Sequence, residues 1–256
     1  MPPPYPLALL TDWLQATLDP TRCDDYGPNG LQVEASSTVA RVATGVTANM
    51  AFIEAATAWG ADLALVHHGI YWHGAPATVT GPLGRRVRAL VRAGLSLVAY
   101  HLPLDGHPTL GNAAGLARAL GLVDLEPAFP SRGVPTGCVG RFPAPLTHDA
   151  VLAALRASVS PSALLFPGGP PAIERVGIVT GGAPRTASDA ARRGLDLYIS
   201  GEASEYSQAI AAEEGILVAA CGHHRSEVFG PRALADELPR VFAGLEARFI
   251  DVDNPA

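Results

Sequence analysis

The chain contains no lysine: all 18 basic residues among its 256 are arginine. That absence excludes a Schiff-base lysine and a phosphate-loop lysine, and with them imine chemistry and P-loop nucleotide binding. Cysteine is scarce, with Cys23, Cys138 and Cys221 alone. An odd three without paired spacing argues against a disulfide framework or a thiolate metal site, and for reduced, structural thiols. Charged residues make up only 16% of the sequence, the formal net charge is −6, and no basic run is longer than Arg85-Arg86 or Arg192-Arg193. Nucleic acid is therefore not expected as the main partner. No apolar run approaches the roughly 20 residues that a membrane helix needs. "MPPPYPLALLTDWLQ" puts no basic region ahead of its short apolar part, so a cytoplasmic protein without a membrane partner is expected.

A large apolar fraction is present instead. Hydrophobic residues account for 48% of the chain, and 27 glycines and 23 prolines are spread through it, so a sizeable core can be buried. Short leucine-rich or β-branched runs alternate with segments of helical period, the pattern of an α/β fold with mainly parallel strands. Strands are predicted at 41–46, 62–68, 95–101, 137–142, 175–181, 195–201, 216–221 and 248–252. Helices are predicted at 5–18, 49–59, 84–93, 112–120, 148–158, 186–193, 203–214 and 231–237, several opened by Thr, Asn or Ser. "LEPAFPSRGVPTG", 125–137, reads as a linker, and "FPGGPPA", 166–172, as a second break. The expected architecture is two α/β lobes, 1–126 and 127–256, each with a mainly parallel sheet flanked by helices.

Seven of the eight histidines fall in three clusters: His67, His68 and His73; His101 and His107; His223 and His224. Each cluster starts where an apolar run ends, after "LALV", "LSLVAY" and "ILVAAC". In open α/β sheets the loops at the carboxyl ends of strands line the ligand crevice. Two clusters carry a carboxylate four residues after a histidine: Asp105 after His101 in "HLPLD", and Glu227 after His223 in "HHRSE". Pro103 predicts a non-helical first pair, whereas the second fits a helix start. Imidazole combined with carboxylate suits Zn, Fe, Mn or Ni. Any single strand-end histidine is more often a hydrogen-bonded structural residue; three clusters, two with a carboxylate, point to metal. His73 and His107 read as loop residues, and Tyr71 and Trp72 as packing or pocket wall. "DDYGPNGLQVE", 24–34, reads as turn chemistry, Glu202 and Glu205 as helix-start carboxylates, and "TGGAP", 180–184, as an ordinary strand-to-helix turn with a weak anion signal.

Taken in order, "DYGPNGLQVE", "TGVTANMAFIEAA", "HHGIYWHG", "HLPLDGHPTLGNAAGLARALG", "TGGAPRTASDAARRGLDLYISGEASEYS", "GHHRSEVFG" and "DVDNP" resemble the motifs of the NGG-interacting-factor-three-like dinuclear-metal-centre family. Its bacterial members go by the name of type 2 GTP cyclohydrolase homologues. The likeness spans nearly the whole chain and is weakest at 127–172. It implies two α/β lobes, two divalent ions per chain in a site at strand ends between the lobes, and a ring-shaped homohexamer, a trimer of dimers. It also implies His67 on one ion and His68 on the other, Asp105 as a ligand, His223 beside the ion of His68, and Glu227 across both. His101 is either a further ligand or a group behind the ligands. His224 stands where many relatives have tyrosine and is held apart from the ligand set. The chemistry expected is hydrolysis of a nucleotide or other small molecule by a metal-bridging water, with His101 or His224 moving protons. The alternative is a non-catalytic metal-binding scaffold, a metal-handling protein or a regulator.

Overall fold

The computed structural model describes residues 4–76 and 78–256. The chain forms two compact units, Met1–Leu104 with Gly230–Asp253, and Asp105–Phe229 with Asn254–Ala256. The sequence reading sets the lobe boundary at 126; the chain instead leaves the first unit after Leu104, and a late segment returns to it. That return has a backbone cause, because Glu246–Phe249 pairs in parallel with Arg41–Thr47.

The first unit is built on a five-stranded sheet in the order Glu246–Phe249, Arg41–Thr47, Leu63–His68, Ser96–Ala99, Gly30–Val33. Four of these strands run parallel, and Gly30–Val33 closes the far edge antiparallel to Ser96–Ala99. Parallel neighbours are joined by crossover helices, Met50–Trp59 and Gly81–Ala93, which share one core with Ala43, Ala64, Val66 and Leu97. The residues alternating with these, Val42, Leu63, Leu65 and Val98, are buried on the other face, so the central strands read as unbroken apolar runs. Leu63, Ala64, Leu65 and Val66 are all essentially inaccessible. The Asn49 side chain caps the first crossover helix by accepting from Phe52 N. Gly45 on the adjacent strand lets that helix pack flush, since a Cβ there would overlap the Phe52 ring. Helix Leu7–Leu18 turns one leucine face, Leu7, Leu10, Leu14 and Leu18, inward at helical spacing.

The second unit holds a six-stranded sheet in the order Val123–Ser131, Val134–Leu146, Ile173–Val179, Leu197–Ser200, Leu217–Ala220, Leu164–Phe166. Its three central strands from Ile173 to Ala220 are parallel, and the other three are antiparallel additions. The mainly parallel expectation thus holds for the first sheet and for the centre of the second. Along the central strands both faces are apolar: Val176, Ile178, Leu197, Ile199, Leu217 and Ala219 pack in one core, and Val179, Tyr198 and Val218 in another.

The segment expected as a linker, 125–137, is a β-hairpin instead. Ser131 pairs with Val134 across a two-residue turn, and Arg132 and Gly133 have φ values of 49° and 91°, the positive pair that a type I′ turn demands. Pro127 and Pro130 disguise it; they are tolerated because Val123–Ser131 is an edge strand. Pro103 misleads in the same way, since Leu102–Asp105 is a helical turn in which Pro103 occupies the first positions, where its missing N–H costs nothing. Helices at 49–59, 112–120 and 148–158 appear as Met50–Trp59, Asn112–Ala119 and His148–Ser158. Among the described residues no helix is long and apolar enough to cross a membrane.

Candidate metal centre

In the first unit, His67 and His68 are the last residues of the Leu63–His68 strand, and His101 lies two residues past Ser96–Ala99. The two strands are adjacent and parallel, so their carboxyl ends deliver the three imidazoles to one rim. His67, His68 and His101 each offer a ligand atom within 4.8 Å of the others. The ring centroids are 4.5 to 5.5 Å apart.

Each ring is held from behind through Nδ1. Fully buried His67 faces the Tyr100 carbonyl at 3.1 Å. A carbonyl only accepts, so Nδ1 donates and Nε2 carries the lone pair. His68 Nδ1 lies 3.1 Å from the hydroxyl of Thr47, its register partner on the neighbouring strand. His101 Nδ1 lies 2.7 Å from Asp25 Oδ1, fixing the same tautomer. Asp25 is itself buried and accepts from Tyr26 N, the Asn29 amide and Leu102 N. Burial pushes its carboxyl up, but the His101 hydrogen bond and charge, with Asn29 and Tyr26 N, outweigh it and hold the pKa below 3.8. A histidine that donates its far nitrogen to a carboxylate or carbonyl is the usual arrangement of a metal-ligating imidazole.

In the second unit, the strand ends again carry the chemistry. His223 opens the short helix His223–Ser226 after Leu217–Ala220, as the sequence allows, and Glu227 follows its end. His223 Nε2 lies 3.2 Å from Glu227 Oε1, and its Nδ1 lies 2.6 Å from Glu202 Oε1. The Glu227 hydrogen bond, opposed by burial and reinforced by the charges of Glu227 and Glu202, raises the His223 pKa from 6.5 to about 9. An imidazolium between two carboxylates is a place where a divalent ion replaces a proton. Glu227 is buried beside Gly181, where φ is +66° and any Cβ would overlap Oε1. The "TGGAP" turn therefore serves as clearance for a carboxylate rather than as an anion cradle. Asp105 is also buried, and its Oδ1 accepts from the Asn112 amide at 2.9 Å and the Thr180 hydroxyl at 3.1 Å.

Sequence reasoning points to His67, His68, His101, Asp105, His223 and Glu227, and the structure sets each at or after the carboxyl end of a strand with a hydrogen-bonding partner. His101, open between ligand and supporting group, has its ring inside the imidazole cluster. His224 is buried, its backbone N–H donates to Ala256 O at 3.1 Å, and among the described residues it joins none of the donor groups. His107 Nδ1 accepts from Leu110 N within a loop, and His148, the first residue of helix His148–Ser158, bonds Pro170 O through Nε2. Two supporting carboxylates escape sequence reasoning. Asp25 lies in a stretch that reads as turn chemistry. Glu202 reads as a helix-start carboxylate, yet the next helix begins only at Ser207. Its signal is available: "ISGE" puts it at a strand's carboxyl end, as with the histidines. Burial lifts the thiols of Cys138 and Cys221 to about 12, as befits structural cysteines.

Comparison with known proteins places the chain in a family. The sequence profile of the family Duf34/NIF3 (NGG1p interacting factor 3) matches residues 7–255. A relative from Allochromatium vinosum named "GTP cyclohydrolase 1 type 2 homolog" is 44% identical over 239 residues, 93% of each chain. A solved structure described as "protein ybgI, unknown function" superposes with a TM-score of 0.92 at 36% identity, covering 98% of this chain and 100% of that one. TTHA1606 from Thermus thermophilus superposes with a TM-score of 0.86 at 34% identity, again over 98% and 100% of the two chains. By the profile match over nearly its whole length and its identity to these relatives, the chain belongs to the Duf34/NIF3 family.

Proposed function

We propose that this protein is a metal-dependent hydrolase with two divalent ions per chain, drawn from Zn, Fe, Mn and Ni, acting on a nucleotide or another small molecule. The ligands proposed are His67 and His68, one for each ion, with Asp105, His223 and Glu227. His101 is the group best placed to hold or move a proton beside them, and His224 is the second candidate. The observation that carries the reading is the three-imidazole cluster in which every Nδ1 has a partner, which leaves Nε2 of His67 and His68 for an ion and Nε2 of His101 for the proton.

Bound divalent ions supply Lewis acidity and lower the pKa of water to near neutrality. The chain's residues do the rest. Asp25 fixes the His101 tautomer, so that a proton taken at Nε2 gives an imidazolium stabilised by a buried carboxylate. Glu202 holds His223 by the opposite nitrogen, and Asn112 with Thr180 fixes the Asp105 carboxylate through one of its oxygens. A triphosphate wants several converging cations, and only Arg225 and Arg185 lie in or next to these motifs, so GTP itself is not singled out. The same reading takes the working form to be a cytoplasmic homohexamer.

Elemental analysis of the purified protein beside its native mass tests the site: about two ions per chain and a sixfold mass are expected. Turnover of nucleotides, phosphoesters and cyclic amides by the loaded protein tests the chemistry. His68→Ala and Glu227→Ala should abolish it while leaving a folded oligomer. Retained turnover in either variant would refute the two-metal mechanism, and metal without any turnover would favour a scaffold.

A further inference from the structure

Two aromatic side chains stand beside the imidazole cluster without a part in the chemistry above. Trp72, in the loop after the Leu63–His68 strand, has its ring 5.8 Å from that of His68 and 5.2 Å, edge to face, from that of His101. Tyr26 lies 6.0 Å from the His101 ring and keeps 46% of its surface exposed. Core packing does not account for this placement: Tyr71 packs against the core of the unit, whereas its neighbour Trp72 rests on the imidazoles.

The two loops that carry these rings are fastened together. His73 N donates to Tyr26 O at 2.7 Å, and Gly27 lies so close to the Tyr71 carbonyl that any Cβ would overlap it. Asp25 anchors the same loop from beneath, since the carboxylate that holds His101 also accepts from Tyr26 N. One buried group therefore positions both the proposed proton carrier and an exposed aromatic, as a preformed binding wall requires.

We infer that Trp72 and Tyr26 form a stacking wall for a planar heteroaromatic ring of the substrate, held beside His68 and His101. This rests on the hydrolase reading above and narrows its substrate class to ring-bearing molecules. An aromatic heterocycle offers a π-face to indole and phenol whatever its hydrogen-bonding edge, whereas a sugar or phosphate alone offers none.

Calorimetric titration of the metal-loaded chain with guanosine and adenosine, and with ribose and inorganic phosphate as ring-free controls, tests it. The nucleosides should bind and the controls should not. Trp72→Ala should weaken nucleoside binding about ten- to hundredfold with metal content unchanged, and Trp72→Phe should restore most of it. Nucleosides binding no better than ribose, or unchanged affinity in Trp72→Ala, would overturn the inference. Should Trp72→Ala lose metal, Tyr26→Ala decides in its place: weakened nucleoside binding supports the wall, and unchanged binding removes it. The two readings fail separately. Protein that holds no metal yet binds nucleosides through Trp72 keeps the wall and loses the hydrolase; protein that holds metal but no nucleoside does the reverse.

Discussion

Metal binding is expected to expel a proton from His223. In the metal-free chain this imidazole lies 3.2 Å from Glu227 and 2.6 Å from Glu202. The Glu227 hydrogen bond leads the causes that lift its pKa to about 9. A divalent ion requires the neutral ring. At pH 7 the ring is about 99% protonated, and removing the proton costs roughly 3 kcal/mol, two pH steps at about 1.4 kcal/mol each. Through this group, apparent affinity for Zn²⁺ should climb about tenfold per pH step from 7 to about 9 and then level off. Calorimetry at pH 7.5 in two buffers of different ionisation enthalpy should register about one proton released from His223 for each centre filled. Glu202→Gln removes one of the two carboxylates and should move the levelling-off to lower pH. Affinity that stays flat between pH 7 and 9, with no proton release in either buffer, would refute the assignment of His223 as a ligand.

Further outcomes follow from the same contacts. Asp25→Asn replaces an acceptor oxygen of the buried carboxylate that serves His101, Tyr26 N, Asn29 and Leu102 N, and should cost about 1–3 kcal/mol, read by urea unfolding. Gly181→Ala should cost about 1–2 kcal/mol for the left-handed backbone alone. The overlap of its Cβ with Glu227 adds to that, so urea unfolding should shift and metal content fall together. For the metal-free chain, the raised His223 pKa adds stability that is fully present below pH 6.5 and lost as pH rises to about 9, so urea midpoints should decline across that window. The lowered Asp25 pKa acts in the opposite sense, with stability present above pH 3.8 and lost as pH falls further, which acid titration of unfolding should register.

The strands that can be read are those buried on both faces. Arg41–Thr47, Leu63–His68 and the central three of the second sheet announce themselves as apolar runs because neighbours cover them on each side. The strands that escape, Gly30–Val33, Val123–Ser131 and Leu164–Phe166, all lie at sheet edges, where proline, glycine and exposed residues are tolerated and no continuous run is needed. The site divides in the same way. Strand-end histidines are local events, whereas Asp25 reaches His101 across 76 positions and Glu202 reaches His223 across 21. No spacing rule links such partners, since only the fold closes the distance. The unit boundary is hidden for a related reason, because the pairing of Arg41–Thr47 with Glu246–Phe249 leaves no trace between them.

That last pairing bears on biosynthesis. A nascent chain that has reached Phe229 already carries all but three residues of the second unit, whereas the first still lacks its closing strand. Until Glu246–Phe249 emerges from the ribosome, the Arg41–Thr47 strand keeps one flank of amide and carbonyl groups unoccupied, an invitation to pair with another chain. The unit that begins first is thus the last to complete its sheet, and ribosome stalling or truncation within the final segment should yield a protein whose second half is sound and whose first half aggregates.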